Sequence, residues 1–362
     1  MMNKRTENLL GLLDEQKIDA MMIVGPSNRQ YLSHFTGSAG VLYISKKRQI
    51  LLTDFRYIEQ ATVQCPDYAI VNHQSKGILP LIKEYMVEEE VGTLGIESES
   101  VTYAQYEEYK EAFSGTTIQG TKGLVEGLRR VKDADEIANL KKAESIGDLA
   151  FTHIVSFIQE NYKNGLTENQ IALELEVVMR QNGATGTSFS SIVAAGTKSS
   201  LPHAVPGDEQ LKEGDFLVMD YGCKYNGYCS DMTRTILIGQ PTPKHLDIYN
   251  TVLFANQEAL KAIKPGKTGR EIDAIARKII MDKGYGEYFG HGLGHSVGLD
   301  IHENPRLSYA DESELQEGMV VTVEPGIYIP GFGGVRIEDL VVVTKDGVNN
   351  LTFSPKELII IT

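Results

Sequence analysis

Phe216-Leu217-Val218-Met219-Asp220-Tyr221-Gly222-Cys223-Lys224-Tyr225-Asn226-Gly227-Tyr228-Cys229-Ser230-Asp231-Met232-Thr233 is a pair of β-rich runs around an Asn-Gly dipeptide. Asn-Gly is a strong signal for a two-residue hairpin turn, because both central residues accept positive φ at little cost. That turn sets position 222 opposite 231 and position 220 opposite 233. Asp220 and Asp231 become diagonal neighbours. Side chains alternate faces with a period of two, so both carboxylates leave the same side of the hairpin. Two anions held together need a cation or a shared proton; a pair of turn or surface aspartates is the plainer alternative.

Outward from this hairpin, residues 189 to 195, 318 to 330 and 334 to 344 are also strand-rich, and 215 to 238 contains the hairpin itself. Helical runs cover residues 168 to 182, 244 to 263 and 269 to 284. Thr167 with Gln170, and Thr268 with Glu271, match the capping box, in which side chains satisfy the free amides of a first helical turn. The pattern is α+β, with helices packed on one side of an antiparallel sheet. A faint echo links the capped helices, each followed by a turn, Asn182-Gly183 and Lys283-Gly284.

Residues 19 to 128 read differently. Short strands at Ala20 to Val24, Gly40 to Ile44, Gln49 to Thr53 and Thr93 to Ile96 alternate with helices near 78 to 90 and 103 to 113, the pattern of a small α/β domain. A charged joint, Arg129 to Glu136, opens a long helical run to about Tyr162. Two domains, 1–130 and 131–362, are expected, since one core stops growing near roughly 250 to 300 residues.

The chain of 362 residues is 41% hydrophobic and 23% charged, an ordinary globular balance. Its net charge of −14, with basic residues scattered, disfavours a nucleic-acid partner, which calls for a basic patch. No apolar run approaches the ~18 residues of a membrane span, and the N-terminus does not read as a signal peptide. Cys65, Cys223 and Cys229 form no CxxC and no disulfide framework, which fits a cytoplasmic location.

Two more segments carry chemistry. Phe289-Gly290-His291-Gly292-Leu293-Gly294-His295-Ser296-Val297-Gly298-Leu299-Asp300-Ile301-His302-Glu303-Asn304-Pro305 places three of the eight histidines among clustered glycines, which let backbone approach a site closely. Glu324 ends the run Val320-Val321-Thr322-Val323, where a charge is costly to bury unless paired or metal-bound. A turn around Gly331 sets Glu324 across from Glu338 in Gly333-Gly334-Val335-Arg336-Ile337-Glu338-Asp339. Solvent-facing glutamates on an edge hairpin would give the same pattern. Together the chain offers four carboxylates and one or more imidazoles. Such oxygen-rich coordination suits Mn²⁺, Fe²⁺ or Co²⁺ better than a thiolate-rich zinc site. Two ions sharing bridging carboxylates, roughly 3.5 Å apart, lower the pKa of a water between them and provide hydroxide for hydrolysis.

At these residues the chain resembles the pita-bread metallopeptidases, the group that holds methionine aminopeptidase, Xaa-Pro aminopeptidase, prolidase and creatinase. The MDYG and SDMTRT pair, HGLGHSVGLDIHENP, VEPGIY and GVRIED occur in that family's order from about residue 135 onward. The resemblance implies a small α/β N-terminal domain followed by a pita-bread catalytic domain. It implies that Asp220 chelates one metal, that Asp231 and Glu338 bridge two, that His295 binds metal, and that Glu324 binds metal and relays the proton. It further implies that His203 and His302 contact substrate and steady the tetrahedral intermediate. Arg336 resembles an arginine that orients the substrate or a ligand carboxylate; a salt bridge supporting Glu338 is the other reading. His291 resembles a residue that lines the pocket or backs the ligands, and Arg56 either reaches a neighbouring subunit's site or is a surface arginine.

The additional N-terminal domain separates the chain from methionine aminopeptidases, and the intact ligand set separates it from creatinase. The resemblance therefore implies an Xaa-Pro dipeptidase or Xaa-Pro aminopeptidase that uses a metal-bridging hydroxide, with two divalent ions, Mn²⁺ first and Co²⁺, Fe²⁺ or Zn²⁺ as alternatives. Its partners are expected to be a proline-containing di- or oligopeptide and a second copy of the chain, with no nucleic acid and no membrane. The competing readings are a metal-independent amidinohydrolase of the creatinase type and a non-catalytic pita-bread binding protein.

Overall fold

The computed structural model describes residues 3 to 362. Two compact units divide it, one ending at Arg129 and the other running from Arg130 to Thr362. The architecture is α+β.

The N-terminal unit is built on a six-stranded mixed sheet in which Ala20–Ile23 pairs antiparallel with Val41–Ser45 and parallel with Thr93–Glu97. Two strands outside the sequence expectation, Ala69–Asn72 and Thr117–Thr121, complete its edges. Glu97 ends its strand and accepts hydrogen bonds from the Gly25 amide at 2.8 Å and the Asn28 carboxamide at 2.7 Å, which satisfies the start of the helix Pro26–Ser33.

In the larger unit, the helices Glu168–Gln181 and Gly269–Asp282 start at the two expected capping boxes, and Asp133 with Glu136 caps the long helix Ala134–Asn161 in the same way. Ala143, Ile146, Ala150, Ile154 and Ile158 recur at helical spacing and bury one face of that helix. Ile248, Val252, Ala255 and Ala259 do the same for the helix Pro243–Ala262, in a second core.

Strand parity sorts the side chains between these cores and the remaining face. In Phe216–Tyr221, Leu217, Met219 and Tyr221 enter the first core; in Met232–Ile238, so do Met232, Ile236 and Ile238. Asp220 and Thr233, of opposite parity, are directly paired. In the other half, Val321, Val323, Val335 and Ile337 enter the second core, which turns Thr322, Glu324, Arg336 and Glu338 the other way.

The single antiparallel sheet expected from the sequence is divided by hydrogen bonding into two-, three-, four- and five-stranded pieces. The breaks fall beside the acidic residues. Phe216–Tyr221 gives way to Cys223–Tyr225 at Gly222, where a Cβ would lie 1.9 Å from the Ser230 carbonyl oxygen. Val320–Val323 gives way to Gly326–Ile329 at Glu324-Pro325, and Gly333–Arg336 to Asp339–Thr344 at Ile337-Glu338. Pro325 has no amide hydrogen to give the ladder.

Candidate metal centre

Asn226 and Gly227 both take positive φ, 49° and 85°, and Tyr225 pairs with Tyr228. The register then runs through Lys224 and Cys229 to Tyr221 and Met232, and Asp220 faces Thr233 as the turn requires. Around Gly331 the second ribbon pairs Gly326 with Arg336 and Val323 with Asp339, so Glu324 and Glu338 occupy one rung between them. Two hairpins thus deliver the four carboxylates, while His295 comes from Gly294–Ser296, a strand that pairs with Val320–Val323.

Asp231, His295 and Glu338 are buried and bring ligand atoms within 4.8 Å of one another. His295 Nε2 lies 3.5 Å from Asp231 Oδ2 and 3.4 Å from Glu324 Oε1. Its Nδ1 stands 3.1 Å from the Ser296 carbonyl, which fixes that nitrogen as the donor and leaves Nε2 as a lone pair toward the carboxylates. Burial, followed by neighbouring His302, holds the His295 pKa down at about 3, so the ring is neutral. Thr322 ties the pieces together: its hydroxyl accepts from the His295 amide at 3.0 Å and donates to Glu324 Oε1 at 3.2 Å.

The electrostatics of the cluster are those of crowded acids. Burial, then the charges of Glu338 and Asp220, push Asp231 well above the usual carboxylate range. Burial, then Glu324 and Asp220, do the same to Glu338, and burial foremost raises Glu324 to about 7. Asp220 gives Oδ2 to Arg336, while its buried Oδ1 accepts no hydrogen bond. An orphaned buried carboxylate oxygen beside three acids and a neutral imidazole is the environment a divalent cation relieves. The donor set fits oxygen-preferring divalent ions.

Arg336 proves to be a hub. It donates to Asp220, to Thr233 Oγ1 at 3.0 Å and to the Tyr328 hydroxyl at 2.9 Å. Its salt bridge is therefore with Asp220, and it reaches Glu338 only through Thr233, whose hydroxyl donates to Glu338 Oε2 at 2.7 Å. His291 completes the chain: Nδ1 donates to the Gly292 carbonyl and Nε2 accepts from Tyr328, both at 2.8 Å. Burial lowers its pKa to about 4. Thr233, Thr322 and Tyr328 were not singled out by sequence, although Thr233 is the partner the turn assigns to Asp220.

Asp220, Asp231, His291, His295, Glu324, Arg336 and Glu338 line a cavity of about 510 Å³ in the larger unit, of a size for a small ligand. His203 and His302 line it and are exposed, with the His302 ring edge-on to His295 at 4.5 Å. Burial lowers the His302 pKa, and Arg306 lowers it further. Arg306, also missed by sequence, lines the same cavity and makes no ion pair among the described residues. Phe189, Ile192, Val205 and Ile301 form its apolar side. Arg56, in the N-terminal unit, is 61% exposed and forms a two-point pair with Asp54, Nε to Oδ1 and the terminal nitrogen to Oδ2, both at 2.8 Å. It does not line the cavity.

The chain resembles known proteins along its whole length. An Xaa-Pro dipeptidase from Pyrococcus furiosus is 41% identical over 99% of this chain and all of that protein, and an uncharacterized peptidase of Bacillus subtilis, YqhT, is 44% identical over 99% and 100%. Among solved structures, an Xaa-Pro dipeptidase from Bacillus anthracis superposes with a TM-score of 0.94 at 48% identity, covering 99% of each chain. An X-Pro aminopeptidase from Thermotoga maritima gives 0.92 at 37%, covering 99% of this chain and 100% of that one. Residues 5–131 match the creatinase/prolidase N-terminal domain, and residues 138–345 match metallopeptidase family M24. With that match over more than half of its length and relatives this similar, the chain belongs to metallopeptidase family M24, a family of hydrolases.

Proposed function

We propose that the enzyme hydrolyses Xaa-Pro bonds, dipeptides foremost, with two divalent ions held by Asp220, Asp231, His295, Glu324 and Glu338. The observation that carries this reading is the convergence on a small cavity of the buried Asp220, Asp231 and Glu338, the half-buried Glu324 and a neutral histidine. The names of the prolidase relatives support the substrate class. When bound, the ions supply Lewis acidity, which polarises the scissile carbonyl and makes water a stronger acid.

The chain's own groups do the rest. Glu324 takes the proton of the attacking water and returns it to the proline nitrogen as that bond breaks. His203 and His302, on the cavity wall, donate to the developing oxyanion. Arg306, unpaired and in the cavity, takes the free carboxylate of a dipeptide with its planar fork, a task for which Arg336 is already occupied. Arg336 holds Asp220 in place directly, and His291 steadies Arg336 through Tyr328. The same reading makes Mn²⁺ the working ion, the protein a homodimer, residues 131–362 the catalytic domain and residues 1–130 a separate one. The three buried free cysteines support a reducing, cytoplasmic setting.

The test is hydrolysis of an Xaa-Pro dipeptide and an Xaa-Pro-Xaa tripeptide after chelation and again after adding Mn²⁺. Metal-restored cleavage of the dipeptide alone is expected. Cleavage of the tripeptide would make the enzyme an aminopeptidase, and full activity after complete metal removal would overturn the metal reading.

A further inference from the structure

Behind the two glutamates lies a side chain that touches neither. Asn256, on the helix Pro243–Ala262, is fully buried. Its amide nitrogen donates to the Val323 carbonyl at 2.9 Å and points to the Ile337 carbonyl at 3.4 Å, the residues immediately before Glu324 and Glu338. Its oxygen accepts from the Lys356 ammonium at 2.9 Å. An ammonium can only donate, so this contact fixes which end of the carboxamide faces the strands.

The sequence explains why a donor is needed there. Ile337 gives its amide hydrogen to the Pro325 carbonyl, and an antiparallel rung would return a hydrogen bond to the Ile337 carbonyl. Residue 325 is proline and has none to give. A buried carbonyl must find another donor, and Asn256 supplies it. Lys356 also binds Asp339, whose other oxygen receives Arg234 at 2.9 Å, so the carboxamide is held from behind by a buried ionic network.

We infer that Asn256 is a positioning residue that sets Glu324 and Glu338 in register for metal. It clamps the backbone one residue before each glutamate, across the rung where the ladder is broken. The inference rests on the reading that these two glutamates hold metal.

The experiment is calorimetric titration of the chelated full-length protein with Mn²⁺ alone, for wild type, Asn256→Asp, Asn256→Leu and Val252→Ala. Val252 lies one turn earlier in the same core and touches no ligand strand by hydrogen bond, so its truncation controls for lost stability. Asn256→Asp keeps the shape but turns a donor into an acceptor against two carbonyls. It is expected to weaken Mn²⁺ binding by about tenfold or more, the scale for residues that hold ligands from behind, while Val252→Ala binds as wild type does. Should Asn256→Asp fail to fold, Asn256→Leu, which removes the donor without adding charge, carries the same expectation. Unchanged Mn²⁺ affinity in a folded Asn256 variant, or an equal loss in Val252→Ala, overturns the inference. Absence of Mn²⁺ binding by the wild type would instead overturn the metal reading itself.

Discussion

Thr233 shows how much of the site depends on a single hydroxyl. It donates to Glu338 and accepts from Arg336, so one oxygen orders an acid and the guanidinium that holds another acid. Thr233→Val keeps the shape and leaves both partners short of a hydrogen bond. A stability loss of about 1 to 3 kcal/mol is expected, together with lower turnover, checked by urea unfolding and steady-state kinetics on one preparation. Asp220→Ala or Glu338→Ala is expected to abolish activity and lower bound metal, measured by elemental analysis; normal metal content would remove that residue from the ligand set. For His302→Ala the expectation is retained metal and turnover reduced by about 10² to 10³, as for a lost oxyanion donor. Loss of metal in the folded variant would make His302 a ligand. At this scale the acids were legible because a turn dipeptide and a buried apolar run fix their faces. Arg306 and Tyr328 were not. Their roles depend on which strands meet across long stretches of chain, and spacing within one segment does not carry that.

The strands themselves can be probed through their glycines. Gly227 sits at φ 85° in the hairpin turn, and Gly222 faces the Ser230 carbonyl with no room for a methyl group. Gly227→Ala is expected to cost about 1 kcal/mol, the strain of a side chain at positive φ, with activity unchanged. Gly222→Ala must push two strands apart between Asp220 and Asp231, and loss of both metal binding and activity is expected. Equal effects of the two substitutions on thermal melting and metal content would show that the ribbon is not rigid at Gly222. The elements were largely readable: the capping boxes at Thr167 and Thr268 and the Asn-Gly register needed only local rules. The capped start at Thr242 with His245 was not anticipated, because histidine is an unusual fourth residue for that motif. The division into several sheets was not readable either, since it arises where the strands bend around the acids.

Across the whole molecule, the crowded acids give a pH dependence with a definite sign. In the metal-free protein Glu324 is raised from 4.5 to about 7, and Glu144, buried beneath Asp231, from 4.5 to about 8, in both cases chiefly by burial. A carboxyl whose folded pKa is raised contributes its stability in full below the unfolded value. That contribution is lost as pH climbs through the folded one. The chelated protein should therefore melt at a higher temperature at pH 6.5 than at pH 8; below 6.5 the buried His291 and His295, whose depressed pKa values add stability as pH rises, work in the opposite direction. Added Mn²⁺ should restore stability at pH 8, by about 2.7 kcal/mol when free ion exceeds its dissociation constant a hundredfold. A flat or rising melting curve for the chelated protein from pH 6.5 to pH 8 would contradict the assignment of buried, mutually repelling acids.

The ribbon on which Glu324 and Glu338 share a rung also bears on how such a chain can change over generations. Lengthening or shortening the tip, Pro330 to Phe332, leaves every pairing below it untouched, so insertions and deletions are tolerable there. A single residue lost from either arm between the tip and the rung slides one strand past the other. The glutamate then faces away from its partner, and its chain neighbour, Val323 on one arm or Asp339 on the other, takes its place. Lineages can vary the end of this ribbon freely, while the length of each arm is inherited as a unit with the chemistry it carries.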